Sequence, residues 1–268
     1  YEYEREKDPL LARNPTAAGF LIEDHAFFAQ QQFVLADQWY ATVGVRIDDN
    51  SRFGTEASPK ISVGGYPLAI NTGAVSSVKI FANAGRGIKN PTFAELFGSA
   101  WVDGNAALTP ERATTIDTGA EITFDAQRWL GRVTWFDNDY TDQVAFQYSP
   151  GWGGDGVPDY LNIAGSRARG VELEGGLQRP MGGVTATASY AYVDTAVVAT
   201  VSTGEQFQPG QPLLRRPKHS GNVQVNYARS PASVNLNVRV TGDRHDAAFL
   251  GLARQSDGLP VDITLTPS

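Results

Sequence analysis

Val78-Lys-Ile-Phe-Ala-Asn-Ala-Gly-Arg-Gly-Ile-Lys-Asn-Pro-Thr-Phe-Ala-Glu-Leu-Phe-Gly98, followed after two residues by Trp101-Val-Asp-Gly-Asn-Ala-Ala-Leu-Thr-Pro-Glu-Arg112, decides how this chain is read. The stretch begins as an alternating strand and is expected to break at Gly85 and Gly87. It then crosses a loop containing Pro91 and returns to extended structure after Pro110. So long a connection, so rich in specific residues, is more than a turn.

Outward from it, period-2 alternation recurs, as expected when successive strand side chains point to opposite faces. Val184, Ala186, Ala188, Tyr190 and Tyr192 share one face against Thr185, Thr187, Ser189 and Ala191. Val223, Val225 and Tyr227 oppose Asn222, Gln224 and Asn226, while Val234, Leu236, Val238 and Val240 oppose Asn235, Asn237, Arg239 and Thr241. Val43, Val45 and Ile47 oppose Thr42, Arg46 and Asp48; Val171 and Leu173 oppose Glu172 and Glu174. One face is apolar and the other polar to charged.

The connections alternate in length. Turn-like links fall at Ala36 to Gln38, Pro67 to Ala74, Asp125 to Gln127, Arg179 to Gly183 and Arg229 to Pro231. Between them come Asp48 to Gly54, Ile88 to Leu108, Tyr148 to Pro158, Ala196 to Arg216 and Asp243 to Leu259, all long except the first. Tight turns on one side and longer loops on the other are the habit of bacterial outer-membrane barrels. The links separate roughly eleven strands, plus a partial one at Tyr1 to Lys7.

Composition narrows the classes. The chain has 268 residues, 41% of them hydrophobic, with 28 glycines, 10 tyrosines and 5 tryptophans, which favours β structure with many turns. No apolar run approaches the roughly 20 residues of a membrane helix, whereas a spanning strand needs only about 10 with every second one apolar. With no cysteine there is no disulfide, thiolate nucleophile or Cys-based metal site. A net charge of -7 argues against nucleic acid as a partner, since phosphate binding needs clustered Lys and Arg.

The opening stretch closely resembles the strand-loop-strand signature of TonB-dependent outer-membrane receptors. Gly85, Arg86, Gly87, Lys89, Pro91, Thr92, Glu95, Leu96 and Phe97 match its first half, and Gly104, Asn105, Leu108, Pro110 and Glu111 its second; Ile88 departs from the usual aromatic. The resemblance resumes in order at Tyr160-Leu-Asn-Ile-Ala-Gly-Ser-Arg-Ala-Arg-Gly-Val-Glu-Leu-Glu174, at Ala188-Ser-Tyr-Ala-Tyr-Val-Asp194 and at Leu214-Arg-Arg-Pro-Lys-His219. It implies an all-β fold, an antiparallel transmembrane β-barrel of which residues 1–268 form one part, about eleven to twelve strands of a larger plugged barrel, without the plug domain and the final strands. It further implies uptake of a scarce nutrient such as a ferric siderophore or cobalamin across the outer membrane of a Gram-negative bacterium. The partners would be the TonB complex acting through the missing plug, a small-molecule ligand such as a metal chelate, and outer-membrane lipid. The chain starts at Tyr1 with no initiator Met and stops at Ser268 inside an expected strand, so it reads as an excerpt of a longer protein.

A passive porin-like channel and a soluble β-sandwich binding module are the alternatives; the sandwich fits neither the strand lengths nor the loop parity. On the barrel reading, Val184, Ala186, Ala188, Val223, Val225, Leu236 and Val238 face lipid, and Glu172, Glu174, Gln224, Asn226 and Arg239 face the lumen. Trp39, Tyr40, Tyr66, Trp129, Trp135, Tyr190, Tyr192 and Tyr227 would form the interfacial girdles.

Candidate sites divide by chemistry. Gly85-Arg-Gly87 lacks a third glycine, holding Asn90 there, and no βαβ pattern follows, so a dinucleotide site is rejected. The family resemblance implies that Arg86 and Lys89 lie near the lumen, facing an anionic ligand or plug carboxylates; the simpler reading is an ion pair holding the loop through Glu95 or Glu111. Trp101, Tyr148, Trp152 and Phe207 are expected as exposed loop aromatics, candidates for ligand binding, although such rings also pack their own loops. Asp155 and Asp159 flank a glycine as a hard cation would want, but further acids are missing and an ordinary Gly-Pro turn is simpler. His25, His219 and His245 have no metal-ligand spacing, no nucleophile elbow occurs, and neither catalysis nor a bound cofactor is expected.

Overall fold

The computed structural model describes residues 1–7, 21–68, 74–99, 102–146, 156–200, 207–248, 251–255 and 261–267. Its strands are β1 (Glu2–Lys7), β2 (Leu21–Leu35), β3 (Trp39–Asn50), β4 (Gly54–Leu68), β5 (Val75–Lys89), β6 (Glu111–Phe124), β7 (Trp129–Phe146), β8 (Tyr160–Met181), β9 (Val184–Ala199), β10 (His219–Arg229), β11 (Ala232–Thr241), β12 (Arg244–Ala248), β13 (Gly251–Gln255) and β14 (Val261–Pro267). A single short helix, α1 (Phe93–Phe97), interrupts them among the described residues. Twelve strands make one sheet in the order β1 through β11, then β14, each pair antiparallel; β12 and β13 form a small hairpin inside the last connection. The wall thus has twelve strands, within the eleven to twelve expected, and the hairpin was not foreseen.

Register turns the alternation into two continuous faces. Val43 on β3 lies opposite Ile61, Ile61 opposite Ala84, and Ala84 opposite Ile116. Val133, Leu173 and Tyr190 continue the apolar face across β7 to β9. On the other face Glu121, Arg132, Glu174, Ser189, Asn222 and Arg239 line up across β6 to β11. Arg132 bridges both neighbouring acids, at 2.5 Å to Glu121 and 3.2 Å to Glu174. Each residue expected to face lipid falls on the apolar face, and each expected to face the lumen falls on the polar one.

The apolar residues are the exposed ones: Val43, Val45, Ile47, Ile61, Val63, Val133, Leu173 and Val223 are all open on the sheet surface. A contiguous apolar belt of this size is unstable against water and suits a hydrocarbon solvent. That excludes the soluble sandwich, in which the same residues would be interior. The register also climbs: Trp39, first residue of β3, aligns through Gly65, Ile80, Ala120, Val133 and Leu173 with Tyr190, well up β9. A drift of about one position per strand is the stagger a tilted barrel wall requires.

Connection parity holds. At one end, tight turns use left-handed backbone at Ala36 and Asp37, at Asp125 to Gln127, and at Gly182 and Gly183. The residues 90–99, 102–110, 156–159 and 207–218 belong to the opposite end. One local expectation is corrected: β5 does not break at Gly85 or Gly87 but stays paired with β6 through Lys89 opposite Glu111. Neither glycine needs left-handed backbone, and a Cβ at Gly85 would make only ordinary contacts while one at Gly87 would meet nothing within 4 Å. Their absent side chains lower the polar face without ending the strand.

Candidate functional site

The loop after β5 is built by its own residues. Thr92 caps α1: its hydroxyl accepts from the Glu95 N–H, and the Glu95 carboxylate accepts from the Thr92 N–H at 2.7 Å. This reciprocal capping box satisfies donors that a one-turn helix would leave open. Phe93, Leu96 and Leu108 are buried with Ile22, and Phe53, Phe97, Val144 and Tyr160 pack around them. Gly98 has φ of 74°, and a Cβ at Gly104 would strike the backbone of Phe97 and Gly98, so both glycines are required by the close approach of two loop segments.

Side chains then fasten this loop to its neighbours. Asn105 donates to the Tyr160 carbonyl at 2.9 Å, and Asn162 both accepts from the Thr109 N–H and donates to the Thr109 carbonyl. Arg52 donates to the Ala106 carbonyl and lies over the Phe97 ring at 5.4 Å. Buried Asp159 accepts from the Asp103 N–H, while the Asp103 carboxylate accepts from the Gly156 N–H. Two sequence signatures some fifty residues apart, around Gly104-Asn105 and Tyr160-Leu-Asn162, thus meet as one latch.

Two cavities open on the polar face at the loop-bearing end. The first, about 470 Å³, is lined by Glu4, Asp24, Arg46, Asp48, Gly87 and Thr92 among others. Its guanidinium, on Arg46, is already held by Glu2 at 2.8 Å and Asp48 at 2.7 Å, and Asp24 accepts from Asn50. The second, about 570 Å³, lies between β7, β8, β9 and the segment 207–216. Aromatic and aliphatic side chains, including Phe136, Phe146, Val193, Phe207 and Leu213, form most of its wall, with Asn138, Arg215 and Arg216 as polar members. Phe136 lies over Gly170, where a Cβ would come within 3.0 Å of the ring. Arg216 also borders a third cavity beside Lys218. The hydrogen bond from Lys218 to Asp194, and then contact with Tyr192, raises that ammonium above its usual range.

The structure separates the residues singled out from sequence. Lys89 lies on the polar face but is engaged by Glu111 at 2.8 Å and Glu95 at 3.7 Å, as the simpler reading had it. Arg86 is exposed and pairs in register with Thr114, which shares a face with Ile116, so the lumenal position implied for it is corrected: β alternation turns it to the apolar side. Phe207, expected to be exposed, is 5% exposed and buried with Ile163 and Val197, though it still contributes to the second cavity. Trp101, Tyr148, Trp152 and Asp155 lie outside the described residues. Asp159 serves a turn, and among the described residues no group of His, Asp or Glu is arranged to hold a metal ion. Sequence reading missed Phe136, Asn138 and Arg216 as neighbours, for they come from separate elements. The capping box has a local signal, Thr92-x-x-Glu95, that the sequence reading did not use.

The closed loop, two-faced wall and mouth cavities can be set beside known proteins. Residues 3–258 match the family described as TonB dependent receptor-like, beta-barrel. The chain is 27% identical over 213 residues to the vitamin B12 transporter BtuB of Photobacterium profundum, covering 78% of this chain and 31% of that protein. It is 27% identical over 232 residues to the iron-regulated outer membrane virulence protein of Vibrio cholerae, covering 80% and 33%. The siderophore receptor PirA of Acinetobacter baumannii superimposes with a TM-score of 0.68 at 16% identity, over 91% of this chain and 39% of that one. The chain thus spans about a third of the length of the relatives it matches. By the family match over nearly its whole length, and by a wall with the matching topology, this chain belongs to the β-barrel family of TonB-dependent receptors.

Proposed function

We propose that the chain supplies wall and extracellular loops to an outer-membrane receptor that takes up a scarce nutrient, a ferric siderophore or cobalamin, with energy delivered through TonB. The observation that carries this reading is a pair of ligand-sized cavities on the polar face at the loop-bearing end of a family barrel wall. A chelate entering from the loop side meets these cavities first. Its onward path is gated by a plug outside this chain, on which TonB pulls. The apolar belt contacts outer-membrane lipid, and the cell is a Gram-negative bacterium. Lys89 shapes the mouth through its acid pair, and Phe207 supports the second cavity from behind.

Uptake of radiolabelled ferric chelates and of labelled cyanocobalamin, measured in cells with and without the full-length gene, tests the reading. Accumulation is expected to require both the gene and an intact TonB system. Uptake that persists without TonB, and rises linearly with concentration, would instead identify a passive channel.

A further inference from the structure

Charge is unevenly placed on the outer, apolar surface of the wall. At the loop-bearing end the arginines of β8 stand against acids: Arg167 pairs with Asp139 at 2.7 Å, and Arg169 lies in register between Asp137 and Asp194. At the turn end the balance reverses. The turns joining β6 to β7, β8 to β9 and β10 to β11 bring Arg128, Arg179 and Arg229 against the single acid Asp125, in a chain whose net charge is -7. Asp125 is engaged by Arg128 at 2.6 Å. Arg179 is exposed and donates to the neutral Gln127 amide oxygen at 3.4 Å; Arg229 is exposed, and neither forms an ion pair with a described residue.

The surface beside these two cations is bare backbone. The Ala228 N–H donates to the Gly183 carbonyl at 2.8 Å, which sets Arg229 beside Gly182. Gly182 has φ of 63°, and a Cβ there would meet nothing within 4 Å, so the turn leaves an open notch. Exposed Met181 borders the notch, and the Tyr227 ring lies 3.5 Å from where a Cβ of Gly183 would sit. Along the outer face of β10 the order from the turn inward is Arg229, Tyr227, Val225, Val223, a cation, an amphipathic ring, then aliphatic groups. A lipid leaflet presents the complementary order: phosphate, glycerol ester, acyl chain.

Resting on the placement of this wall in a membrane, and not on nutrient uptake, we propose that the β8–β9 and β10–β11 turns bind the headgroup of an anionic phospholipid in the leaflet on the turn side. Arg229 and Arg179 meet the phosphate across the Gly182 notch, while Tyr227 and Met181 pack against the glycerol and the first methylenes. A zwitterionic lipid carries its own cation and gains less from the arginines. Inorganic phosphate offers the same oxygens without the apolar contact and is held far more weakly.

The test uses the full-length receptor, purified in detergent and checked for folding by heat-modifiable gel mobility. Phosphatidylglycerol and phosphatidylcholine with identical acyl chains are added in equal amounts, and retained lipid is counted by native mass spectrometry. Phosphatidylglycerol is expected to be favoured by about fivefold for each arginine, less so as ammonium acetate is raised. Combining Arg179→Ala with Arg229→Ala should bring the ratio close to one, Arg179→Lys with Arg229→Lys should keep most of the preference, and Arg169→Ala at the loop end should leave it unchanged. Should the double alanine variant fail to fold, each single variant is read in the same way. Equal retention of the two lipids, or a preference that survives loss of both arginines, overturns the site and leaves the barrel in its membrane. Displacement of phosphatidylglycerol by millimolar inorganic phosphate at constant ionic strength overturns the lipid assignment in favour of a bare anion site. A receptor that stays soluble without detergent and retains neither lipid overturns the membrane placement as well.

Discussion

The loop 90–110 and the segment 207–218 sit at the same end of the same wall, yet they are built on different plans. The first is closed on itself by a capping box, two obligatory glycines, a buried Phe93–Leu96–Leu108 cluster and asparagine latches to β8. The second rests on Phe207 packed with Ile163 and Val197, a Leu213 N–H bond to Thr195, and a Val197 N–H bond to the Gln211 carbonyl. Residues that make the family recognisable are densest in the first, where they satisfy backbone groups and fill a small core; the second carries the shorter match at Leu214-Arg-Arg-Pro-Lys-His219. The second leaves Arg216 and the cavity wall open. The contrast teaches that a signature motif can encode the shape of a loop.

The sharpest way to break this contrast is to empty each small core in turn. Leu96→Ala and Phe207→Ala should each cost about 3 to 5 kcal/mol locally, because a buried side chain is lost and a cavity left behind. The consequences should diverge: hydrogen exchange rises across 90–110 in the first variant with chelate affinity nearly retained, and affinity falls in the second with 90–110 still protected. Equal loss of affinity in both would erase the division of labour.

Beneath both loops, the wall should respond by face. Val225→Arg places a charge on the apolar belt and is expected to cost about 2 to 4 kcal/mol in lipid refolding, against little for Asn226→Arg on the polar side. Equal destabilisation would mean that the faces are assigned wrongly.

Smaller effects refine the first loop. Thr92→Ala removes the cap and should destabilise the α1 turn by about 1 kcal/mol, seen as faster exchange at the Glu95 amide. Lys89→Ala breaks a solvent-screened pair with Glu111 and Glu95, so less than about 1 kcal/mol is expected, with chelate affinity unchanged. A large affinity loss at Lys89 would move the ligand toward the acid-rich cavity.

Much of this was legible in the chain itself. Alternation at Val43 to Ile47, Val184 to Tyr192 and Val223 to Tyr227 fixed strands and faces, because a period of two leaves no choice of side once one face must be apolar. Turn residues set connection parity, and Thr92-x-x-Glu95 carried its helix cap locally. What alternation and local pattern do not contain is the pairing of distant elements. Gly85 and Gly87 look like breakers in sequence, yet the ladder to β6 keeps them extended; Arg86 looks lumenal by motif, yet its register with Thr114 turns it to the apolar side. The second cavity exists only because β7, β8 and β9 bring Phe136, Ala168 and Val193 beneath a segment that ends in Arg215 and Arg216. Local sequence determined the wall, since each strand is specified by its own solvent contrast; only tertiary packing decided the cavity, since its lining groups become neighbours through register across three strands and a loop.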